Sequence, residues 1–212
     1  MKKCFWISAY KKSGNTWMRA IISSLFFSKI GKFDFSLLKK INYFDSFKAY
    51  QFVKSINKND FHNLTNINIS YKYSIEAQKR ANVGGDFAFF KTHSSNLLIK
   101  NNSYTNEENT RGLIYIVRDP RDVCISYSKF FGVSLDESIS IMTNINSISF
   151  LYSQKVKDIP IFESRWDTHY LSWKKLKVPK LIIKFEDLVN QTEENIRKII
   201  NFFEENYNFI VN

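Results

Sequence analysis

Phe5-Trp6-Ile7-Ser8-Ala9-Tyr10 restricts the fold of this chain more than any other stretch: it is short, almost wholly apolar, and broken abruptly by Lys11-Lys12-Ser13-Gly14-Asn15. A strand wet on one face alternates apolar and polar residues. A run apolar on both faces suits a strand buried between two layers, as in a parallel sheet. From Thr16 the spacing turns helical, with Trp17, Ile21 and Leu25 on one side and Met18 and Ile22 beside them. Strand, glycine-containing turn and helix recur downstream. Leu113–Val117 reads as a strand, and Asp119-Pro120-Arg121-Asp122 opens a helix with Asp119 as N-cap and Pro120 at the first helical position. Lys180–Phe185 reads as a third strand, followed by a loop at Glu186-Asp187-Leu188. A helix over Glu193–Asn206 then follows, with Ile196, Ile199, Ile200 and Phe203 on one face. A short strand at Phe87–Phe90 ends at Lys91-Thr92-His93. Alternating strands and helices predict an α/β domain, a parallel β-sheet flanked by helices and joined by right-handed crossovers.

At 212 residues the chain has room for one such domain. Residues 30–85 and 135–176 are less regular. The first reads as helices and loops over one sheet edge, the second as helical, with Trp166, His169, Tyr170 and Trp173 on one face and His169 structural. Formal charge is +11, from 31 basic and 20 acidic residues, but 24 of the basic residues are scattered lysines. An anionic partner is therefore suggested only where cations converge, and no Arg-rich stripe or motif supports nucleic-acid binding. The N-terminal apolar run is too short for a secretory segment, and Trp17–Phe27 falls short of a membrane span. Cys4 and Cys124 lie in apolar segments and match no disulfide or metal spacing. A reduced, cytoplasmic protein is expected; oligomeric state is not legible.

Ligands of open parallel sheets bind outside the carboxyl ends of the strands. The groups delivered there are Lys12-Ser13-Gly14-Asn15-Thr16, Lys91-Thr92-His93 and Arg118. Unpaired amides at the start of the Thr16 helix favour an anion, and Gly14 allows close backbone approach. The loop is P-loop-like without being a Walker motif: its lysine precedes the glycine as Lys12-Ser13-Gly14, and Trp17 follows Thr16. That order argues against an ATP- and Mg²⁺-dependent phosphotransferase.

Tyr10-Lys11-Lys12-Ser13-Gly14-Asn15-Thr16-Trp17 resembles the first loop of sulfotransferases that use 3′-phosphoadenosine 5′-phosphosulfate (PAPS). Ile114–Val123 followed by Ser126-Tyr127 is similar to that family's 3′-phosphate signature, and Lys91-Thr92-His93 to the tripeptide carrying its general base. The resemblance spans about residues 5–205 and implies the sulfotransferase fold as a single domain over residues 1–212. It implies sulfuryl transfer to a hydroxyl or amine of a small-molecule or carbohydrate acceptor, without a metal. His93 would take the acceptor proton, Lys12 would neutralise the leaving 5′-phosphate, and Lys91 would meet the sulfuryl oxygens. The amides of Ser13, Gly14, Asn15 and Thr16 would cradle the 5′-phosphate, Arg118 and Ser126 the 3′-phosphate, with Trp17 and Phe185 near adenine. Residues 30–85 and 135–176 would line the acceptor pocket. The chain departs from the pattern at Lys11, which replaces a proline, at Asn15, which replaces a threonine, and at Phe185, often a tyrosine. A C-terminal Arg-Lys-Gly segment usual in the family does not occur before Asn212, so an incomplete C-terminus, or a nucleotide-binding protein with weak or absent turnover, is the alternative expectation.

Overall fold

Cys4–Ala9 is the central strand (β1) of a five-stranded parallel sheet in a computed structural model that describes residues 4–80, 87–150 and 159–209. Its neighbours are β3 (Ala88–Thr92) on one side and β6 (Thr110–Val117) on the other; β2 (Asn42–Tyr43) and β9 (Lys180–Lys184) form the edges, giving the order β2-β3-β1-β6-β9. Two antiparallel ribbons lie outside this sheet: β4 (Leu98–Ile99) with β5 (Asn102–Ser103), and β7 (Ile148–Ser149) with β8 (Ile161–Phe162).

The continuous apolar run of β1 has its expected cause. Phe5, Ile7 and Ala9 face one layer with Met18, Ile22, Ile114, Ile199 and Phe203, while Trp6 faces the opposite layer with Phe44, Phe90, Tyr104 and Trp173. Successive side chains of a strand point to opposite faces, so a strand covered on both sides is apolar throughout. The first layer is built by α1 (Asn15–Phe27) and α9 (Thr192–Tyr207). The second draws on α4 (Ile67–Arg80) and α7 (Trp166–Lys174). A 3₁₀ helix at Phe35–Lys40, the short helices α2 (Phe47–Tyr50), α3 (Lys58–His62), α6 (Leu135–Thr143) and α8 (Phe185–Asn190), and α5 (Pro120–Phe131) complete the order. At α5 the Asp119 carboxylate accepts from the Arg121 amide, Pro120 opens the helix, and Gly132 closes it at φ 67.

Four local expectations are corrected. Strand β3 continues through Lys91 and Thr92, because Tyr43 pairs with Lys91 and Ser8 with Thr92. Region 30–85 contributes a sheet strand, β2, as well as helices. Glu186-Asp187-Leu188 is helical rather than a loop, with Leu188 buried as the apolar anchor of α8. Region 135–176 is only partly helical, since β7 and β8 pair across it. Residues 81–85 and 151–158 of those two regions lie outside the described residues.

Candidate functional site

Chain order makes the site. The connection leaving β1 leads toward β2 and β3, whereas that leaving β6 leads to β9 on the other side. A crevice opens where the two diverge, between the loop after β1 and the corner at Arg118. Lys12, Gly14, Asn15, Thr16, Lys91, His93, Arg118, Ser126 and Phe185 line one cavity of about 390 Å³ there, together with Lys11, Phe130 and Phe131. Two expected members lie off that lining: the Ser13 side chain is buried, and Trp17 is 44% exposed at the start of α1.

The loop bends through two left-handed residues, Lys12 (φ 65) and Gly14 (φ 94). Gly14 is required twice over: its φ disfavours a side chain, and a Cβ there would collide with the Phe185 ring. It is also the N-cap of α1, with no side-chain cap and no acidic residue in the first turn, so the helix start presents amides and a positive dipole end. Asn15 donates its side-chain amide to the Ile7 carbonyl at 3.3 Å, fixing the helix start to β1.

Cations surround these amides. Arg118 donates to the Lys12 carbonyl at 3.0 Å and lies 4.6 Å from the Phe185 ring centre, while its Nε is buried with no hydrogen-bond partner among the described residues. Glu186 accepts from the Asp119 amide at 2.9 Å, pinning that corner to α8. Lys12 Nζ sits 3.6 Å from the Phe130 ring centre; partial burial and the Arg118 charge hold its pKa below 10.5. Lys91 is buried against Tyr43, its Nζ 4.7 Å from the ring centre, and burial, reinforced by the charge of Arg19, lowers it to about 8. No carboxylate lines the cavity among the described residues.

His93 is buried and held from three sides. Its Nδ1 is 2.7 Å from the Ala9 carbonyl, which can only accept, so Nδ1 carries the proton and Nε2 keeps its lone pair. Its own carbonyl accepts from His169 Nε2 at 3.0 Å, and His169 Nδ1 accepts from the Tyr115 hydroxyl at 2.7 Å. His169 is thus structural, as its place on the Trp-rich face implies. Burial, then the Lys91 charge, pushes the His93 pKa well below 6.5, which leaves the imidazole neutral with its Nε2 lone pair unprotonated.

Asp45, in the loop after β2, is the member the sequence concealed. Its buried carboxylate accepts from Thr92 Oγ1 (2.8 Å), Tyr104 OH (2.7 Å), Ser94 Oγ (3.1 Å) and the His93 amide (3.4 Å). Burial raises its pKa against the opposing pull of those bonds. The only signal was an acidic residue among aromatics, Tyr43-Phe44-Asp45, in a region without a clear period.

The three sequence blocks thus meet as a cationic cradle at a helix start beside a neutral histidine, and a family model, the sulfotransferase domain, matches residues 2–209. The chain belongs to the sulfotransferase family. Two solved structures also share its fold. Retinol dehydratase in complex with androsterone and the inactive cofactor PAP is 15% identical, with a TM-score of 0.55, covering 94% of this chain and 59% of that one. Retinol dehydratase with retinol and PAP gives 15% identity and a TM-score of 0.56, over 95% of this chain and 60% of that one. This sulfotransferase chain therefore spans about three-fifths of the solved chains it matches. No described helix is long and apolar enough to cross a membrane.

Proposed function

We propose that this sulfotransferase moves a sulfuryl group from PAPS to a hydroxyl or amine of a small-molecule or carbohydrate acceptor, with His93 as general base. The observation that carries the reading is the cavity itself: a histidine with its Nε2 lone pair fixed beside a carboxylate-free set of cations and an uncapped helix start. These residues fit a doubly phosphorylated nucleotide, since Arg118 Nε is buried without a partner among the described residues and the uncapped start of α1 presents its amides to the same cavity. PAPS supplies the sulfuryl group when bound. Toward it, the amides of Ser13 to Thr16 and the Lys12 ammonium hold the 5′-phosphate and balance charge as the S–O bond to that phosphate breaks. Arg118 and Ser126 hold the 3′-phosphate, and Phe185 and the exposed Trp17 serve the adenine. Lys91 meets the sulfuryl oxygens. His93 Nε2 takes the acceptor proton as the new bond to sulfur forms. Loss of one such electrostatic contact costs ~10²–10³ in rate.

Calorimetry with 3′-phosphoadenosine 5′-phosphate (PAP) tests the nucleotide assignment. Saturable binding is expected, with affinity at least about tenfold weaker in Arg118→Ala, because a hydrogen bond to a charged group contributes about 1.5–3 kcal/mol. Absence of wild-type binding, or an unchanged Arg118→Ala, rejects it. PAPS turnover against a panel of alcohols, phenols, amines and sugars then separates an enzyme from a nucleotide-binding protein. His93→Ala should abolish turnover and spare PAP binding.

A further inference from the structure

Lys11 occupies the loop position next to Lys12 and lines the same cavity, yet its ammonium is held in a buried ion pair instead of standing free. Its side chain is 4% exposed and ion-pairs at 2.7 Å with Glu163, which is fully buried. It also donates to Ser149 Oγ at 2.5 Å, and Ser149 in turn donates to the same Glu163 oxygen at 2.7 Å. Ser149 ends β7, and Glu163 follows β8 directly, so Lys11 ties the loop after β1 to the β7–β8 ribbon. One residue before Glu163, the Phe162 carbonyl accepts from both the Ser95 amide (2.7 Å) and Ser95 Oγ (2.8 Å). Ser95 stands two residues after His93. The ribbon thus grips the loop carrying Lys12 through Glu163 and the segment carrying His93 through Phe162. These are two loops from different strands, joined by adjacent ribbon residues.

We propose that Lys11 and Glu163, with the β7–β8 ribbon, form an internal gauge that sets the separation of His93 from Lys12, making both positioning residues for transfer rather than ligands of the nucleotide. The inference rests on the function proposed above. It explains why a lysine occurs where the family resemblance has a proline: the position is held by an ion pair to the ribbon instead of by a fixed φ. A pair buried this deeply is costly to half-remove, because the remaining charge is left without a partner. A variant that deletes both charges is therefore the informative one.

The experiment records the imidazole resonances of the full chain by NMR, where the three histidines, His62, His93 and His169, are separable by single His→Gln variants. PAP affinity is measured alongside by calorimetry. K11M/E163L should shift the His93 ring signals while leaving those of exposed His62 in place, with PAP Kd within about threefold of wild type. S95A, which changes no charge, should disturb the same His93 signals, separating displacement from a mere change of electric field. K11R should return the His93 signals to their wild-type positions. With an acceptor from the panel, K11M/E163L should lose at least tenfold in kcat and little in the KM for PAPS. Unmoved His93 signals in both K11M/E163L and S95A overturn the gauge, as does a PAP affinity that falls in step with kcat. Failure of the wild type to bind PAP rejects the proposed function instead, and the NMR outcome still decides the gauge.

Discussion

Lys91→Met exchanges a buried ammonium for an unbranched thioether side chain at the centre of the candidate site, where the charge costs stability that catalysis would need. Burial and the nearby Arg19 charge lower the Lys91 pKa from 10.5 to about 8, equivalent to about 3 kcal/mol against the charged form in the folded protein. Because the folded pKa lies below the unfolded one, the unfolded chain binds this proton more tightly. The penalty is complete below about pH 8 and relaxes as pH rises toward 10.5. Loss of the contact with the Tyr43 ring returns about 0.5–2 kcal/mol of the gain. Urea unfolding at pH 7 should therefore find Lys91→Met more stable than wild type by about 1–3 kcal/mol. Most of the wild-type penalty should disappear between pH 7 and pH 10, so the difference shrinks or reverses. A variant no more stable than wild type at pH 7, or a difference independent of pH, refutes the reasoning.

Gly14→Ala places a side chain at φ 94 and against the Phe185 ring, so it should cost about 1–3 kcal/mol in urea unfolding and weaken PAP binding in calorimetry. Asp45→Asn replaces a pure acceptor of four hydrogen bonds with a group that also donates, which should cost about 1–3 kcal/mol and lower kcat while PAP affinity holds. In kcat/KM against pH, the neutral His93 places the acid limb well below 6.5 and Lys91 places the alkaline limb near 8. Lys91→Arg should move the alkaline limb upward and leave the acid limb alone.

The parts of the site that were legible in the sequence are those whose residue type has a local backbone meaning. Gly14 marks a left-handed bend before a helix, Asp119-Pro120 a helix start, and the apolar run of β1 a doubly covered strand. Lys12, Lys91, His93 and Arg118 follow from these, because the sheet delivers whatever stands at its carboxyl ends to one rim. Asp45 and Glu163 were illegible for the opposite reason. Asp45 meets Thr92 from 47 positions away, and Glu163 meets Lys11 across most of the chain, so no period or spacing joins the partners. Lys11 illustrates the limit well. As a sequence feature it added charge to the loop, whereas in the fold its charge is cancelled inside.

The contact of Phe185 with Gly14 and Arg118 has a bearing on the birth of the protein. Synthesis runs from the N-terminus, so the glycine loop leaves the ribosome long before the aromatic ring that packs on it. The Arg118 guanidinium that grips the Lys12 carbonyl also emerges well after its partner. A growing chain therefore carries its glycine loop without these two partners through most of translation. On the proposed function, the walls of the cavity are complete only once β9 and α8 have closed the far edge of the sheet.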